Sequence, residues 1–272
     1  MERRSVKPAL SPTLRAVVAA VKLVAAEEIM PRYMKVALQR KSDGSLCTEA
    51  DLAAQEALTR KLQAIVNVPV IGEEMPAERQ RALWAESSEQ GVWCIDPIDG
   101  TSNFVRGLSY FAVSAALVRA GRSVLGVVYD PVGDEAFAAE AGRGAFLNGE
   151  KLVSRNAAKE LSTALANVDM KRLDGRLAQR LVSAPPFSSQ RNFGASALDW
   201  CYTAAGRYDV YLHGGQMLWD YAAGSLVLQE AGGQTCCLDC DDFCACDVWR
   251  RSVIASADPA LFEQWKNWVR AQ

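Results

Sequence analysis

A mixed α/β (α+β) fold is predicted, on two observations. Between Tyr110 and Leu152, apolar runs alternate with turn pairs such as Gly121-Arg122 and Asn148-Gly149, which is the pattern of antiparallel hairpins. After Ser154, short apolar runs alternate with helix-length segments, as in α/β structure. The change of pattern divides the chain into two expected parts: 1–153, with N-terminal helices and a sheet, and 154–272, an α/β half. At 272 residues the chain is long enough to bury a full core. No internal repeat or low-complexity stretch interrupts it.

Taken in order, Ser11 to Met30 carries apolar residues at helical spacing, with Ser11 as cap and Pro31 as stop. Within it, Ala16 to Ala26 is apolar enough to suggest a leader, but Lys22 interrupts it and Glu27-Glu28 follow, so a surface helix of a cytoplasmic protein is expected. Residues 40–45 read as a polar loop. A second helix starts after Thr48, with Asp51 in capping-box position and Leu52, Ala53, Leu58, Leu62 and Ile65 as its apolar face. Val68 to Ile71 is a short buried strand running into Glu73 and Glu74. Val92 to Ile95 is another, running into Asp96. Tyr110 to Val118 and Ser123 to Tyr129 pair as a hairpin; Glu135 to Ala139 and a hairpin over 142–152 extend the same sheet. In the second half, strands are expected over 163–170, 208–212 and 252–255. Helices are expected over 174–182, 195–205, 219–231 (stopped by Gly232-Gly233) and 260–269.

Composition narrows the chemistry. Half the residues are hydrophobic, 23% are charged and the net charge is −2, with no basic run, so neither nucleic acid nor a membrane is expected as partner. His213 is the single histidine, which excludes multi-His zinc sites and weakens a Ser-His-Asp scheme. Five of the eight cysteines lie between Cys236 and Cys246. They allow a thiolate zinc site by ligand count or a redox pair. Because three aspartates crowd the loop, unpaired thiols are the expected state, and a disulfide scaffold is disfavoured.

The chemistry centres on Trp93-Cys94-Ile95-Asp96-Pro97-Ile98-Asp99-Gly100-Thr101-Ser102-Asn103-Phe104. Asp-Pro and Asp-Gly also make ordinary turns. A buried strand ending in two carboxylates, however, is costly without a cation beside it. Such hard oxygen donors suit Mg²⁺, or Mn²⁺, better than zinc or copper. If Glu73, Asp96, Asp99 and Asp220 meet, with no basic group near them in sequence, they repel one another unless two or three Mg²⁺ ions and a phosphate dianion balance the charge. Asp220 has a plainer reading as the acid that opens a helix, and so has Asp51. In the convergent arrangement Glu73 takes a proton from water, Thr101 (hydrogen-bonded to Asp51) orients that water, and the N–H groups of Gly100 and Thr101 hold phosphate oxygens.

Ile71-Gly72-Glu73-Glu74, the Trp93 to Phe104 block, Gly126 to Pro131, Gly144 to Gly149, and Trp219-Asp220-Tyr221-Ala222-Ala223-Gly224 through Gly233 together resemble the inositol monophosphatase family, over about Lys41 to Gly233. The resemblance implies a layered αβαβα sandwich of the sugar-phosphatase type, commonly a homodimer. It also implies a Mg²⁺-dependent, lithium-sensitive phosphatase for small phosphorylated polyols or sugars, with inositol monophosphate as the first substrate to consider. Fructose 1,6-bisphosphate, histidinol phosphate and 3′-phosphoadenosine 5′-phosphate are the alternatives. A partner-binding protein that retains the fold is a reading of a different class. The metal ligands implied are Glu73, Asp96, the Ile98 carbonyl, Asp99 and Asp220. Asp51 and Thr101 match the water-positioning pair. Gly194, Ala195, Ser196, Asp220 and His213 fall where substrate is contacted. His213 stands where inositol-specific members carry a glutamate, which leaves the metal chemistry intact and the substrate open.

Overall fold

The computed structural model describes residues 10–37, 39–40, 46–154 and 158–271; most of the polar loop expected over 40–45 lies outside them. Helix α1 (Pro12–Val24) begins where expected, its Leu14 N–H donating to the Ser11 hydroxyl at 3.1 Å. It does not run as α-helix to Met30. The coil widens to a π-type turn at Ala25–Ile29 and tightens to a 3₁₀ turn at Met30–Arg32. Pro31 has no N–H to give to the preceding turn, so the chain changes its winding there before it leaves the helix.

Strands β1 (Gln39–Arg40) and β2 (Leu46–Cys47) pair as a small ribbon ahead of α2 (Glu49–Ile65). The capping box forms as expected, with Asp51 Oδ2 accepting from the Thr48 N–H at 2.7 Å and hydroxyl at 2.6 Å. The buried face of α2 is the expected one only at Leu58 and Leu62. Ala50, Ala54, Ala57, Leu58 and Leu62 point inward, whereas Leu52 is 52% exposed. Small alanines at three- and four-residue spacing let α2 lie close to its neighbours, and Leu52 falls on the opposite side of the turn.

Then follow β3 (Val70–Gly72), α3 (Ala77–Ser87), β4 (Val92–Asp99), α4 (Thr101–Arg106), β5 (Ala112–Arg119), β6 (Arg122–Asp130), β7 (Glu135–Glu140), β8 (Gly144–Leu147) and β9 (Glu150–Lys151). Strands β3 to β9 form one seven-stranded sheet in sequence order, antiparallel except for the parallel β3–β4 pair. The second half supplies β10 (Leu165–Asp169), α5 (Gly175–Ser183), β11 (Ser189–Arg191), α6 (Ser196–Ala204), β12 (Val210–Met217), α7 (Leu218–Glu230), β13 (Gln234–Cys236), β14 (Arg250–Ser256) and α8 (Pro259–Arg270). Its sheet has the order β11-β10-β12-β14-β13. The two strands not expected, β11 and β13, are its three-residue edges, too short to carry a periodic signal.

Residue alternation turns these elements into layers. In β5, Val113, Ala115 and Leu117 face a core shared with α1 and α2, while Ala112, Ala116 and Val118 face a core shared with α6 and α7. The second sheet sits on the other side of α6 and α7 and buries its far face against α5 and α8 through Leu177, Leu181, Leu261 and Trp265. The result is helix, sheet, helix, sheet, helix. Close approach in the middle depends on missing side chains: a Cβ on Gly126 of β6 would come within 2.9 Å of the Ala223 backbone in α7.

The cysteine loop after β13 departs from expectation. Cys237 and Cys246 form a disulfide; Cys236, Cys240 and Cys244 are free. Phe243 packs edge-on against Trp200 and Tyr221, while Arg251 donates to the Cys244 and Cys246 carbonyls and Arg270 to that of Cys237. These anchors fold the loop back until the two sulfurs meet. Among the described residues the cysteines do not gather three ligand atoms at one point, so the zinc reading is not met.

Candidate functional site

Strand β4 carries the centre of the site. All eight of its residues are buried, and its pairing with β5 slips between Asp96 (opposite Ser114) and Asp99 (opposite Ala112). Pro97 occupies this irregularity, where a missing N–H does no harm to the ladder. Asp96 Oδ1 accepts the Ile98 N–H at 3.0 Å, and the Ile98 carbonyl accepts the Thr101 hydroxyl at 3.2 Å. The chain then turns at Gly100 with φ of 95°, a left-handed conformation that strains any side chain, and a Cβ there would also press to 3.1 Å from the Tyr110 carbonyl oxygen.

Three other segments reach this point. Parallel β3 ends in Glu73, whose N–H donates to the Ile95 carbonyl at 3.2 Å. Asp220, in the first turn of α7, accepts the Met217 N–H at 2.9 Å, so it is both a helix-start acid and a member of the cluster. The Trp219 carbonyl accepts from Ser114 Oγ at 3.1 Å, tying the start of α7 to β5. The start of α6 gives its Ala197 N–H to Asp99 Oδ2 at 2.6 Å. One oxygen each from Asp96, Asp99 and Asp220 lies within 4.8 Å of the others. Glu73, Ile98, Gly100, Thr101, Gly194, Ser196 and His213 line the same cavity, of about 440 Å³. Ala195 is fully buried behind it as the residue before α6.

The carboxyls resist ionisation here. Burial raises Asp96 well above its ordinary range, and Glu73, Asp99 and Asp220 add to the effect. Asp99 is raised to about 8, mainly by burial, with the Ala197 N–H opposing and Asp199 assisting. Asp220 is raised to about 7 by burial and then by Asp99, against the Met217 N–H and Arg172. Close-set, buried oxygen donors that repel one another fit a hard divalent cation such as Mg²⁺. In the metal-free protein, a raised carboxyl favours the folded state below its ordinary pKa of 3.8 and withdraws that support as pH climbs through 7 to 8. The Tm in chelator is therefore expected to fall between about pH 5 and 9. Asp99→Asn should flatten the slope, and a wild-type Tm level across that range would remove this account of the cluster.

Two expectations are corrected. The Thr101–Asp51 hydrogen bond is not formed. Thr101 bonds to Ile98, and Asp51 turns to Thr48, leaving its Oδ1 buried without a hydrogen-bond partner and its pKa raised to about 6 by burial. Local capping geometry, only three residues away in sequence, wins over the longer reach. The absence of basic groups is also wrong: Lys171, Arg172 and Arg250 line the cavity. Lys171 and Arg172 follow β10, and the carboxyl ends of neighbouring parallel strands are where open sheets bind ligands, a signal available in the sequence. Arg250 opens an antiparallel strand and had no such signal.

His213 is committed within the wall. Its Nδ1 accepts the Gly215 N–H at 3.0 Å, which leaves Nε2 to donate to Asp169 Oδ2 at 3.3 Å. Burial lowers its pKa, against the pull of Asp169. Asp169, missed from sequence, is held below the usual carboxylate range: burial opposes ionisation, but His213, Lys171 and Arg172 outweigh it.

The chain is similar to known proteins over nearly its whole length. A sequence model described as the inositol monophosphatase family matches residues 9–270. The Nus factor SuhB of Pseudomonas aeruginosa is 36% identical over 84% of each chain. The inositol-1-monophosphatase of Caulobacter vibrioides is 32% identical over 86% of this chain and 91% of its own. Among solved structures, Thermotoga maritima IMPase superposes with a TM-score of 0.81 at 28% identity, covering 96% of this chain and 97% of that one. No helix among the described residues is long and apolar enough to cross a membrane.

Proposed function

The chain belongs to the inositol monophosphatase family and is a phosphomonoesterase of that type, and from this premise we propose that it hydrolyses a small phosphorylated polyol or sugar with Mg²⁺. Inositol monophosphate is the substrate the family likeness supports first. The observation that carries the reading is the meeting of Asp96, Asp99 and Asp220, from segments more than a hundred residues apart, beside Glu73 in one cavity.

Glu73, Asp96, Asp99, Asp220 and the Ile98 carbonyl would hold two or three Mg²⁺ ions, with Mn²⁺ a workable substitute. Bound there, such ions acidify a water and neutralise phosphate oxygens. Glu73 accepts the proton that the water loses. The Thr101 hydroxyl, fixed by the Ile98 carbonyl, faces the same cavity and orients the water; Asp51, hydrogen-bonded to Thr48, acts on the site through its charge beside Asp96. The N–H groups of Gly100 and Thr101 bind phosphate oxygens, and Gly194, Ala195 and Ser196 meet the substrate hydroxyls together with Asp220. With both ring nitrogens engaged, His213 serves as wall and as anchor for Asp169. No side chain needs to become covalently attached. We place the enzyme in the cytoplasm as a homodimer, in keeping with the family.

A second reading is a partner-binding protein that keeps this fold. It is favoured by the name Nus factor SuhB borne by relatives such as the Pseudomonas aeruginosa protein. A panel of phosphate esters assayed with Mg²⁺, with and without Li⁺, separates the two. The enzyme reading expects phosphate release that needs the divalent ion and is suppressed by Li⁺. Absence of release from every ester would favour the partner-binding protein.

A further inference from the structure

We propose that Arg251 anchors a second binding site, on a different face of α7 from the metal cluster, for a small molecule carrying one carboxylate.

The site is a cavity of about 230 Å³ that shares no lining residue with the catalytic one. The first turn of α7 stands between the two. Met217, Trp219 and Asp220 line the catalytic cavity, whereas Leu218 and Tyr221 line the other. The β5–β6 hairpin supplies Val118 and Arg122, and β14 supplies Arg251. The remaining wall is the cysteine loop, through Phe243 and Cys244. A loop with no part in the metal site thus encloses Arg251.

Arg251 is only 4% exposed, so its charge has been taken out of bulk water. Among the described residues, no carboxylate lies within ion-pair distance of it. Its Nη2 reaches the Cys244 and Cys246 carbonyls at 3.3 and 3.4 Å, and the Tyr221 and Phe243 rings stand 4.8 and 5.0 Å away. Its Nε is buried with no hydrogen-bond partner. Carbonyl dipoles and aromatic faces ease a buried cation without neutralising it, which leaves the guanidinium short of an anion. The Thr235 hydroxyl, on the same cavity, is also buried without a partner. A water would satisfy the hydroxyl but brings no charge to the arginine.

The chemistry of the walls sets the class of anion. One buried cation balances one negative charge, and a phosphate dianion would carry an excess into a space lined by Val118, Leu218 and Leu226. Arg122, exposed and donating from Nη1 to Cys244 Sγ at 3.7 Å, adds attraction at the rim. A carboxylate on a short hydrocarbon body meets all of these: a charge-assisted bond to Arg251, an acceptor for Thr235, and apolar walls. The plainer role for Arg251 is to clamp the cysteine loop and nothing more.

Binding of pentanoate and of benzoate to the full chain with Mg²⁺ present, followed by calorimetry, separates the two. Pentanamide and benzamide are the uncharged controls, and inorganic phosphate is the dianion. At least one carboxylate is expected to bind with a Kd of about 1 mM or tighter, and its amide about tenfold or more weakly. Arg251→Gln should abolish that binding and Arg251→Lys keep part of it. Thr235→Val and Arg122→Gln should each weaken it about threefold or more while phosphate release stays unchanged. A clamp alone predicts no effect of Thr235→Val, so these two variants decide the matter even if Arg251→Gln fails to fold. Absence of binding by both carboxylates, or equal affinity for acid and amide, overturns the site. Binding that survives all the substitutions belongs to the catalytic cations and overturns it as well. Phosphate binding that is tighter than either carboxylate and falls with Thr235→Val overturns the assignment to a carboxylate.

Discussion

Asp96→Asn is expected to lower Mg²⁺-dependent phosphate release by about a thousandfold or more while leaving the protein folded. The change is nearly isosteric, and the amide oxygen can still accept the Ile98 N–H that Asp96 Oδ1 accepts at 3.0 Å. What is lost is the negative charge shared with Glu73, Asp99 and Asp220. Metal ions supply several kcal/mol of transition-state stabilisation, and each factor of ten in rate corresponds to about 1.4 kcal/mol. The same substitution removes a buried carboxyl that its neighbours repel, so the variant's Tm in chelator should match or exceed that of the wild type. Added Mg²⁺ should raise the Tm of the variant less than that of the parent. Turnover at the normal rate by the folded variant would end the assignment of Asp96 to the metal centre.

Trp200→Ala carries the largest expected loss of stability, about 3–5 kcal/mol. Trp200 is wholly buried in α6, in the helical layer between the two sheets. Its ring stands edge-on to Tyr211 and Phe243, and its indole N–H donates to Gln216 Oε1 at 2.9 Å. Gly224 of α7 is glycine because a Cβ there would come within 2.5 Å of the Trp200 Cβ. Truncation leaves a cavity at the crossing of α6 and α7 and strands a buried amide, two costs that add. Denaturant or thermal unfolding checks it; a shift under about 1 kcal/mol would mean that this layer repacks freely and does not hold the sheets in register.

How much of this was legible from residues alone depends on how far each feature reaches along the chain. The hairpin at Asn148-Gly149 declares itself because both residues take positive φ, which Asn and Gly tolerate. The capping box at Thr48 and Asp51 is likewise local. Helix α2 shows where local reading ends: Leu52 belongs to an apolar pattern and yet faces solvent, because the neighbouring elements select the alanine face. Glu73, Asp96, Asp99 and Asp220 are legible in the sequence, since buried strand ends with carboxylates are conspicuous, whereas Asp169 is not. Hydrogen-bond partners are not legible either, as the separate bonding of Asp51 and Thr101 demonstrates.

By itself, the order of residues determined the strand ends that carry Glu73, Asp96 and Asp99, the helix that starts at Asp220, and hence the kind of chemistry available. Periodicity and turn preference act over a few residues, and the chain states them outright. Only the folded molecule decided that Arg250 joins Lys171 and Arg172 in the cavity, that Asp169 holds His213, and that Cys237 closes on Cys246. Each of these joins groups whose separation in space is set by the stacking of two sheets about one helical layer or by how a loop folds back upon it, and no short-range preference encodes such distances.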